Sequence, residues 1–389
     1  MAKARILIFL VGVFVVGVLA VFASYWARGY KFNTKTLRFS PNGLLVANSE
    51  PTGAQIYVDG ELKTATNATV TITPGVYDVQ IKKEGFIPWS KKLTVEKEIV
   101  TQIDAFLFPT AGSLSPITFS GVTNPVVSTD STRIAYGVTG SPNDNNTGIW
   151  ISETLNLPIG FSRDPRRITD INPNGSSWVF SPDGRSLMVT TKDGSIFTVD
   201  TGSFTTQSAL TNLGIAGAKR IQDTWAGLEK TKLGAKVERL PSPLNDVLIV
   251  KGKDIVFSPD ENKVLYEASD EATIPPNLIK QLPGSSTQTQ ERILKKGFKY
   301  VYDIKEDRNF VVAEPGQPAS WFPTSAHILL PMKDKIVVED YDGTNKQTIY
   351  SGSYVYPNAF SYLNASRLII LTNLGSNTDL ANLYSLSLR

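Results

Sequence analysis

One short pattern recurs through the C-terminal part of the chain: an apolar run, a tight polar turn, and a second apolar run. Its clearest copy is Ser177-Trp178-Val179-Phe180-Ser181-Pro182-Asp183-Gly184-Arg185-Ser186-Leu187-Met188-Val189. A second is Ile255-Val256-Phe257-Ser258-Pro259-Asp260-Glu261-Asn262-Lys263-Val264-Leu265-Tyr266. More diverged copies begin at Val126, Trp321 and Phe360. Pro and Asp start such a turn and Gly or Asn closes it, so each copy reads as strand, turn, strand. Hairpins repeated in this way must hide their edges, and radial repetition does so. At about 40–45 residues per repeat, residues 110–389 accommodate five to seven blades of a β-propeller. The spacing is uneven, widest between Ser181 and Ser258. That gap holds Ile221, Trp225 and Leu228 at helical spacing, which predicts a helical insertion over about 216–250. With 29 Gly and 23 Pro but only three Met, the composition suits short strands and many turns.

Residues 43–108 read as a separate small β-sandwich. Leu44 to Ala47, Gln55 to Val58, Val70 to Ile72, Tyr77 to Ile81, Lys92 to Val95 and Val100 to Ile103 are six short strands. Asp59-Gly60 is the dipeptide of a type I′ hairpin. The ordered series Pro51-Thr52-Gly53-Ala54, Ile56-Tyr57-Val58-Asp59-Gly60, Thr73-Pro74-Gly75-Val76-Tyr77 and Lys83-Glu84-Gly85-Phe86 resembles a PEGA domain. It departs from that family's namesake tetrapeptide at Thr52. The resemblance implies a spacer or adhesion-like module without catalysis. The copies in 115–389, together with the Asp340-Tyr341-Asp342-Gly343-Thr344-Asn345 turn, resemble the repeats of TolB-like β-propellers. That second resemblance implies an interaction role in a bacterial envelope, by fold analogy.

The N-terminus carries Lys3 and Arg5 and then an uncharged stretch from Ile6 to Ala27. As a helix it would rise about 33 Å at about 1.5 Å per residue, against a hydrocarbon core of about 30 Å. Tyr25, Trp26 and Tyr30 stand where an interfacial aromatic belt belongs. The expectation is one transmembrane helix over 6–27 and a linker over 28–42; a cleaved signal peptide with Val21-Phe22-Ala23 at its processing site is the alternative, disfavoured by an apolar run longer than the usual signal core of about 7–15 residues. The membrane would be a partner, with a single-pass localisation and the remaining chain extracytoplasmic. Arg28, Lys31, Lys35 and Arg38 oppose that orientation and leave a cytoplasmic scaffold as an alternative.

Composition excludes several chemistries. There is no cysteine, so disulfides, thiolate catalysis and Cys-based zinc sites do not arise. A net charge of +3 without a Lys/Arg cluster gives no nucleic-acid footprint. The single histidine, His327, has no Gly-x-Ser-x-Gly elbow to pair with and reads as a turn or strand residue. Asp130, Asp183 and Asp260 recur where the turn itself needs a carboxylate. Asp340 and Asp342 lack the twelfth-position Glu of a calcium loop, so a hairpin turn is the reading there. The polar loop Ser141 to Gly148 is a candidate ligand contact. No catalytic residue, cofactor site or metal site is assigned. The expected function is an envelope protein whose propeller presents a face to an envelope protein or cell-surface glycan. The alternative is a hydrolase or lyase using an Asp/Glu pair on envelope polymers.

Overall fold

The computed structural model describes residues 2–27, 30–33, 38–40, 42–140, 145–154, 164–280, 287–375 and 380–389. Side chains are described over 9–25, at Tyr30, and from Asn42 onward within those ranges. The chain divides into two compact units: Met1–Leu107 with Gln281–Gln288, and Phe108–Lys280 with Thr289–Arg389.

The first unit begins with helix α1 (Ala2–Ala27). The transmembrane expectation for this segment is corrected. Among the described residues no helix is long and apolar enough to cross a membrane. The single-pass membrane localisation, and the extracytoplasmic placement that depended on it, fall with that finding. Arg28 and Lys35, used to argue orientation, lie outside the described residues.

The rest of this unit is a two-sheet sandwich. One sheet runs Ala68–Ile72, Gly43–Glu50, Val100–Phe106 in spatial order, the last pair parallel. The other runs Glu61–Ala65, Gln55–Val58, Gly75–Lys82, Trp89–Val95, all antiparallel. Alternating side chains from both sheets meet in one core: Leu45, Ala47, Ile56, Val79, Ile81 and Ile103 are among its members. Asp59 and Gly60 both have positive φ, 49° and 81°, as a type I′ turn requires. The strand Glu61–Ala65 is absent from the sequence reading. All five of its residues are exposed, so it carries no alternation to detect.

Among the described residues the second unit is a succession of five antiparallel sheets of three or four strands, with a two-stranded pair (Ala272–Thr273 and Ile293–Leu294) set within the third, a β-propeller-type arrangement. In chain order their described strands are Thr123–Val127 to Thr169 (four strands), Ser177–Phe180 to Asp200 (three), Gly252–Phe257 to Ala313 (four), Ser320–Trp321 to Ser351 (four) and Ala359–Ser361 to Ser387 (three). The last sheet gains its fourth strand from Leu114–Pro116, which pairs with Asn382–Ser387. Start and end of the unit are thereby tied by hydrogen bonds. Successive sheets share dry interfaces. Ile134, Tyr136 and Val138 face Ile369, Leu371 and Leu383 of the fifth sheet. Ala135, Ile149 and Ile151 face Trp178, Leu187 and Val189 of the second. Leu265, Val301 and Val312 of the third face Ile328, Leu330 and Val337 of the fourth. One strand thus serves two interfaces by its period of two.

The succession is interrupted once. Between the second and third sheets lie helix α2 (Gly214–Val237) and helix α3 (Ser242–Lys251). The second sheet lacks the fourth strand its sisters have. At its edge Leu213 N–H donates to the Ile196 carbonyl at 2.8 Å, and Ile196 N–H donates to Asn212 Oδ1 at 3.2 Å. The chain then turns into α2 instead of continuing as a strand. Leu240, Leu244 and Leu248 cover Val264, Tyr266, Tyr300 and Tyr302 of the third sheet. These helices take the position a neighbouring sheet would otherwise occupy.

Candidate binding surfaces

The candidate carboxylates Asp130, Asp183 and Asp260 lie in the repeat turns. Ser128, Ser181 and Ser258 each donate a hydroxyl to the Asp two residues on, at 2.6 Å in all three copies. The same hydroxyl accepts from the backbone N–H five residues on, at 2.9–3.0 Å. Each carboxylate also accepts the N–H two residues beyond it. Burial pushes Asp130 and Asp260 upward, but their hydrogen bonds outweigh it and both stay below the usual carboxylate range. The Ser181 hydroxyl and the Arg185 N–H lower Asp183 likewise. The fourth turn residue is left-handed in all five copies: Ser131, Gly184, Glu261, Ser325 and Ala365. These carboxylates are spent on turn geometry. Turns also join across sheets, with Arg133 Nη1 donating to the Gly184 carbonyl at 2.7 Å and Asp260 N–H to Ser325 Oγ at 3.0 Å.

His327 opens the second strand of the fourth sheet, in register with Asp340. It is buried. Nδ1 lies 2.6 Å from Thr324 Oγ1 and Nε2 lies 3.5 Å from Asp340 Oδ1. Phe108 and Phe322 meet its ring edge-on. The same register pairs Arg133 with Glu153 and Lys263 with Asp303. A basic residue opposite a carboxylate recurs at this point in the first, third and fourth sheets, whereas in the fifth Arg367 faces Ser387; sequence alone did not reveal the pairing. The signal was available: Arg133, Lys263, His327 and Arg367 all stand five residues after the first turn residue. Thr324, His327 and Asp340 have the residue types of a nucleophile–base–acid chain. Buried edge-on between two phenylalanines, the imidazole pins the turn to the third strand.

Asp340 and Asp342 form the hairpin turn that their spacing predicts. Thr344 Oγ1 donates to Asp342 Oδ1 at 2.6 Å, and Asn345 Nδ2 donates to Asp340 Oδ2 at 3.0 Å. Beside them Glu339 is 0% exposed. Burial pushes its carboxyl up to about 7, against the opposing effect of Lys346 Nζ at 2.9 Å. A second buried network holds the loop between the middle strands of the third sheet. Tyr302 OH and Arg292 both donate to Asp307 Oδ1, at 2.6 and 3.0 Å. Tyr266 OH donates to Asn309 Oδ1 at 2.9 Å. Nothing in the sequence marks Glu339 or Asp307 as buried, since their surroundings come from other strands.

The interruption between the second and third sheets is where apolar side chains remain in water. On α2, Ala218 and Val237 are buried and Ile221 and Trp225 half-buried, while Leu228 is 51% exposed. Gln222 Nε2 reaches Met188 Sδ at 3.6 Å, which seats α2 on the second sheet. On α3, Leu244 and Leu248 face inward, whereas Ile249 and Val250 are 64% and 69% exposed. Val179 and Val256, on the first strands of the sheets that flank the helices, are half-exposed. Helix α2 carries Lys219, Arg220, Lys230, Lys232 and Lys236 against Asp223 and Glu229, an excess equal to the net charge of the whole chain. Residues 141–144 of the polar loop named above lie outside the described residues.

The first unit has a cleft of about 240 Å³ lined by Val58, Asp59, Glu61, Lys63, Ile72, Thr73 and Tyr77. Among the described residues there is no cluster of three or more His, Asp or Glu able to hold a metal ion.

Comparison with known proteins bears on the two units differently. No curated protein matches the chain. Among solved structures, TolB from Acinetobacter baumannii is 14% identical with a TM-score of 0.24, the match covering 80% of this chain and 59% of that one. The chain therefore spans about three-fifths of that protein's length. A putative TolB from Agrobacterium tumefaciens is 12% identical, TM-score 0.19, covering 80% of this chain and 90% of that one. The acylaminoacyl peptidase of Pyrococcus horikoshii is 10% identical, TM-score 0.21, covering 69% and 38%. Likenesses this distant transfer no residue role. The PEGA domain family matches residues 42–110, and that segment, with its Asp59-Gly60 hairpin and two-sheet core, is a PEGA domain.

Proposed function

We propose that this chain is a non-catalytic interaction protein whose second unit docks a protein partner on the α2–α3 surface. One observation carries the reading: Leu228, Ile249 and Val250 are left in water where the run of sheet-to-sheet cores gives way to helices. Scattered apolar exposure is ordinary, but exposed apolar side chains on two consecutive helices support an interaction site. The basic excess of α2 selects an acidic amphipathic segment as occupant. Its apolar face would meet Leu228 and Ile249, and a carboxylate would meet Lys232, which lies one turn on from Leu228 on the same helix face, as in helix-in-groove recognition. The turn carboxylates support a binding role, since Asp130, Asp183 and Asp260 hold the scaffold rigid instead of converging on a substrate.

The test is site-specific photocrosslinking in the native host, with a photoreactive residue at position 228 or 249. A single discrete protein adduct is expected at both positions, weakened by the charge reversal Lys232→Glu. A control position on the first unit, Val76, should not give it. Absence of adducts at both helices, or the same adducts at position 76, would refute the assignment.

A further inference from the structure

The cleft of the PEGA domain has the chemistry of a saccharide subsite. It is built by one hairpin and by the turn that carries the chain from one sheet to the other. The type I′ turn Asp59-Gly60 delivers Asp59, Glu61 and Lys63 along one wall, and the Pro74-Gly75 turn delivers Ile72, Thr73 and Tyr77 along the other. The polar groups are held in place. Tyr77 OH donates to the Thr73 carbonyl at 2.8 Å and lies 2.8 Å from Thr73 Oγ1. Lys63 Nζ lies 2.7 Å from Glu61 Oε2. Asp59 Oδ1 accepts the Asp78 N–H at 2.8 Å. Each carboxylate thus has one oxygen engaged within the fold.

We infer that this cleft binds a neutral pyranose unit of a saccharide. The volume, about 240 Å³, is below the range of about 300–1,000 Å³ typical for drug-sized ligands and suits one sugar ring. The Tyr77 ring and the Ile72 side chain offer an apolar wall to the C–H face of such a ring. Glu61, Asp59 and Thr73 Oγ1 accept from its hydroxyls, and Lys63 donates. Two carboxylates against one ammonium disfavour an anionic ligand. A purely apolar ligand would strip water from those carboxylates without replacing their hydrogen bonds. This inference does not depend on the α2–α3 reading, because it concerns the other unit and a different ligand class.

The test is isothermal titration of the full chain with maltotetraose, cellotetraose and chitotetraose, with saturation-transfer NMR on the same mixtures. At least one should bind, at a Kd on the order of 1 mM or tighter. Tyr77→Ala should weaken it by about tenfold or more, equivalent to ~1.4 kcal/mol, with circular dichroism confirming the fold. Tyr77→Phe, which keeps the ring, should retain binding within about twofold, a difference of ~0.4 kcal/mol. Glu61→Gln changes an exposed side chain and cannot unfold the domain, and it should weaken binding several-fold. Failure of all three saccharides to bind overturns the inference. So does binding that survives both Tyr77→Ala and Glu61→Gln, since the sugar would then sit elsewhere.

Discussion

The two faces of the second sheet meet different neighbours. Toward the first sheet, Trp178, Leu187, Val189, Phe197 and Val199 interlock with Ala135, Ile149 and Ile151 in a closed apolar core. Toward the third sheet there is no matching sheet. Met188 is covered by α2 through Gln222, while Val179 stays half-exposed. Both faces arise from the same strands by alternation, so strand propensity does not separate them. What separates them is the partner: a sheet complements a sheet along its whole length, whereas a helix covers only a stripe. Apolar exposure therefore collects where the repeat is broken.

The largest expected effect is on the closed side. Trp178→Ala should cost ~3–5 kcal/mol through the cavity it opens, seen as a large fall in denaturant midpoint. On the open side, Ile249→Asp should change stability by less than ~0.5 kcal/mol while removing the crosslink at the helices. If the two substitutions cost the same, the contrast between the faces is lost.

Next comes the turn that supports the closed side. Ser181→Ala removes the donor to Asp183 and the acceptor of the Ser186 N–H, and should cost ~1–2 kcal/mol in thermal or chemical unfolding. Asp130, Asp183 and Asp260 sit below their ordinary range in the folded chain. Their contribution is complete above the unfolded carboxylate range and is lost as pH falls through the lowered values. The Ser181→Ala chain should accordingly show a shallower acid limb in a pH titration of stability.

Glu339 has the opposite sign. Its folded carboxyl is raised to about 7, so between the unfolded value and 7 the native state holds the extra proton. Stability from this group is present at acid pH and declines as pH rises through that window. Glu339→Gln should raise the melting temperature at pH 8, change little at pH 4, and flatten the profile between. A pH-independent effect would mean that Glu339 stays charged throughout. The smallest effect belongs to the surface ion pair of Lys236 with Glu261, 2.8 Å apart at the end of α2. Lys236→Ala should cost no more than ~0.5 kcal/mol, and less in high salt.

Much of the frame was legible in the sequence. Ser-Pro-Asp followed by an apolar run encodes a turn whose hydrogen bonds are local, and the second and third sheets carry it in full. Asp59-Gly60 encoded its hairpin in two residues. Ile221, Trp225 and Leu228 lie on α2 because helical spacing also is a local property. The features that sequence reading missed depend on distant strands. Nothing local distinguishes buried Glu339 from exposed Glu229. Tyr77 read as one residue of an alternating strand, and its cleft needs Asp59 and Glu61 from another hairpin. The N-terminal segment was read from apolar composition as a membrane span, and among the described residues no helix is long and apolar enough to cross a membrane.

The most direct measurement is a paired one on the Leu228→Asp/Ile249→Asp chain, reading melting temperature and crosslinking from position 250 together. The account predicts a melting temperature within about 2 °C of the parent, since surface changes move stability little, and loss of the adduct. A fall of about 8 °C or more would make those side chains structural, and an undiminished adduct at an unchanged melting temperature would place the partner elsewhere.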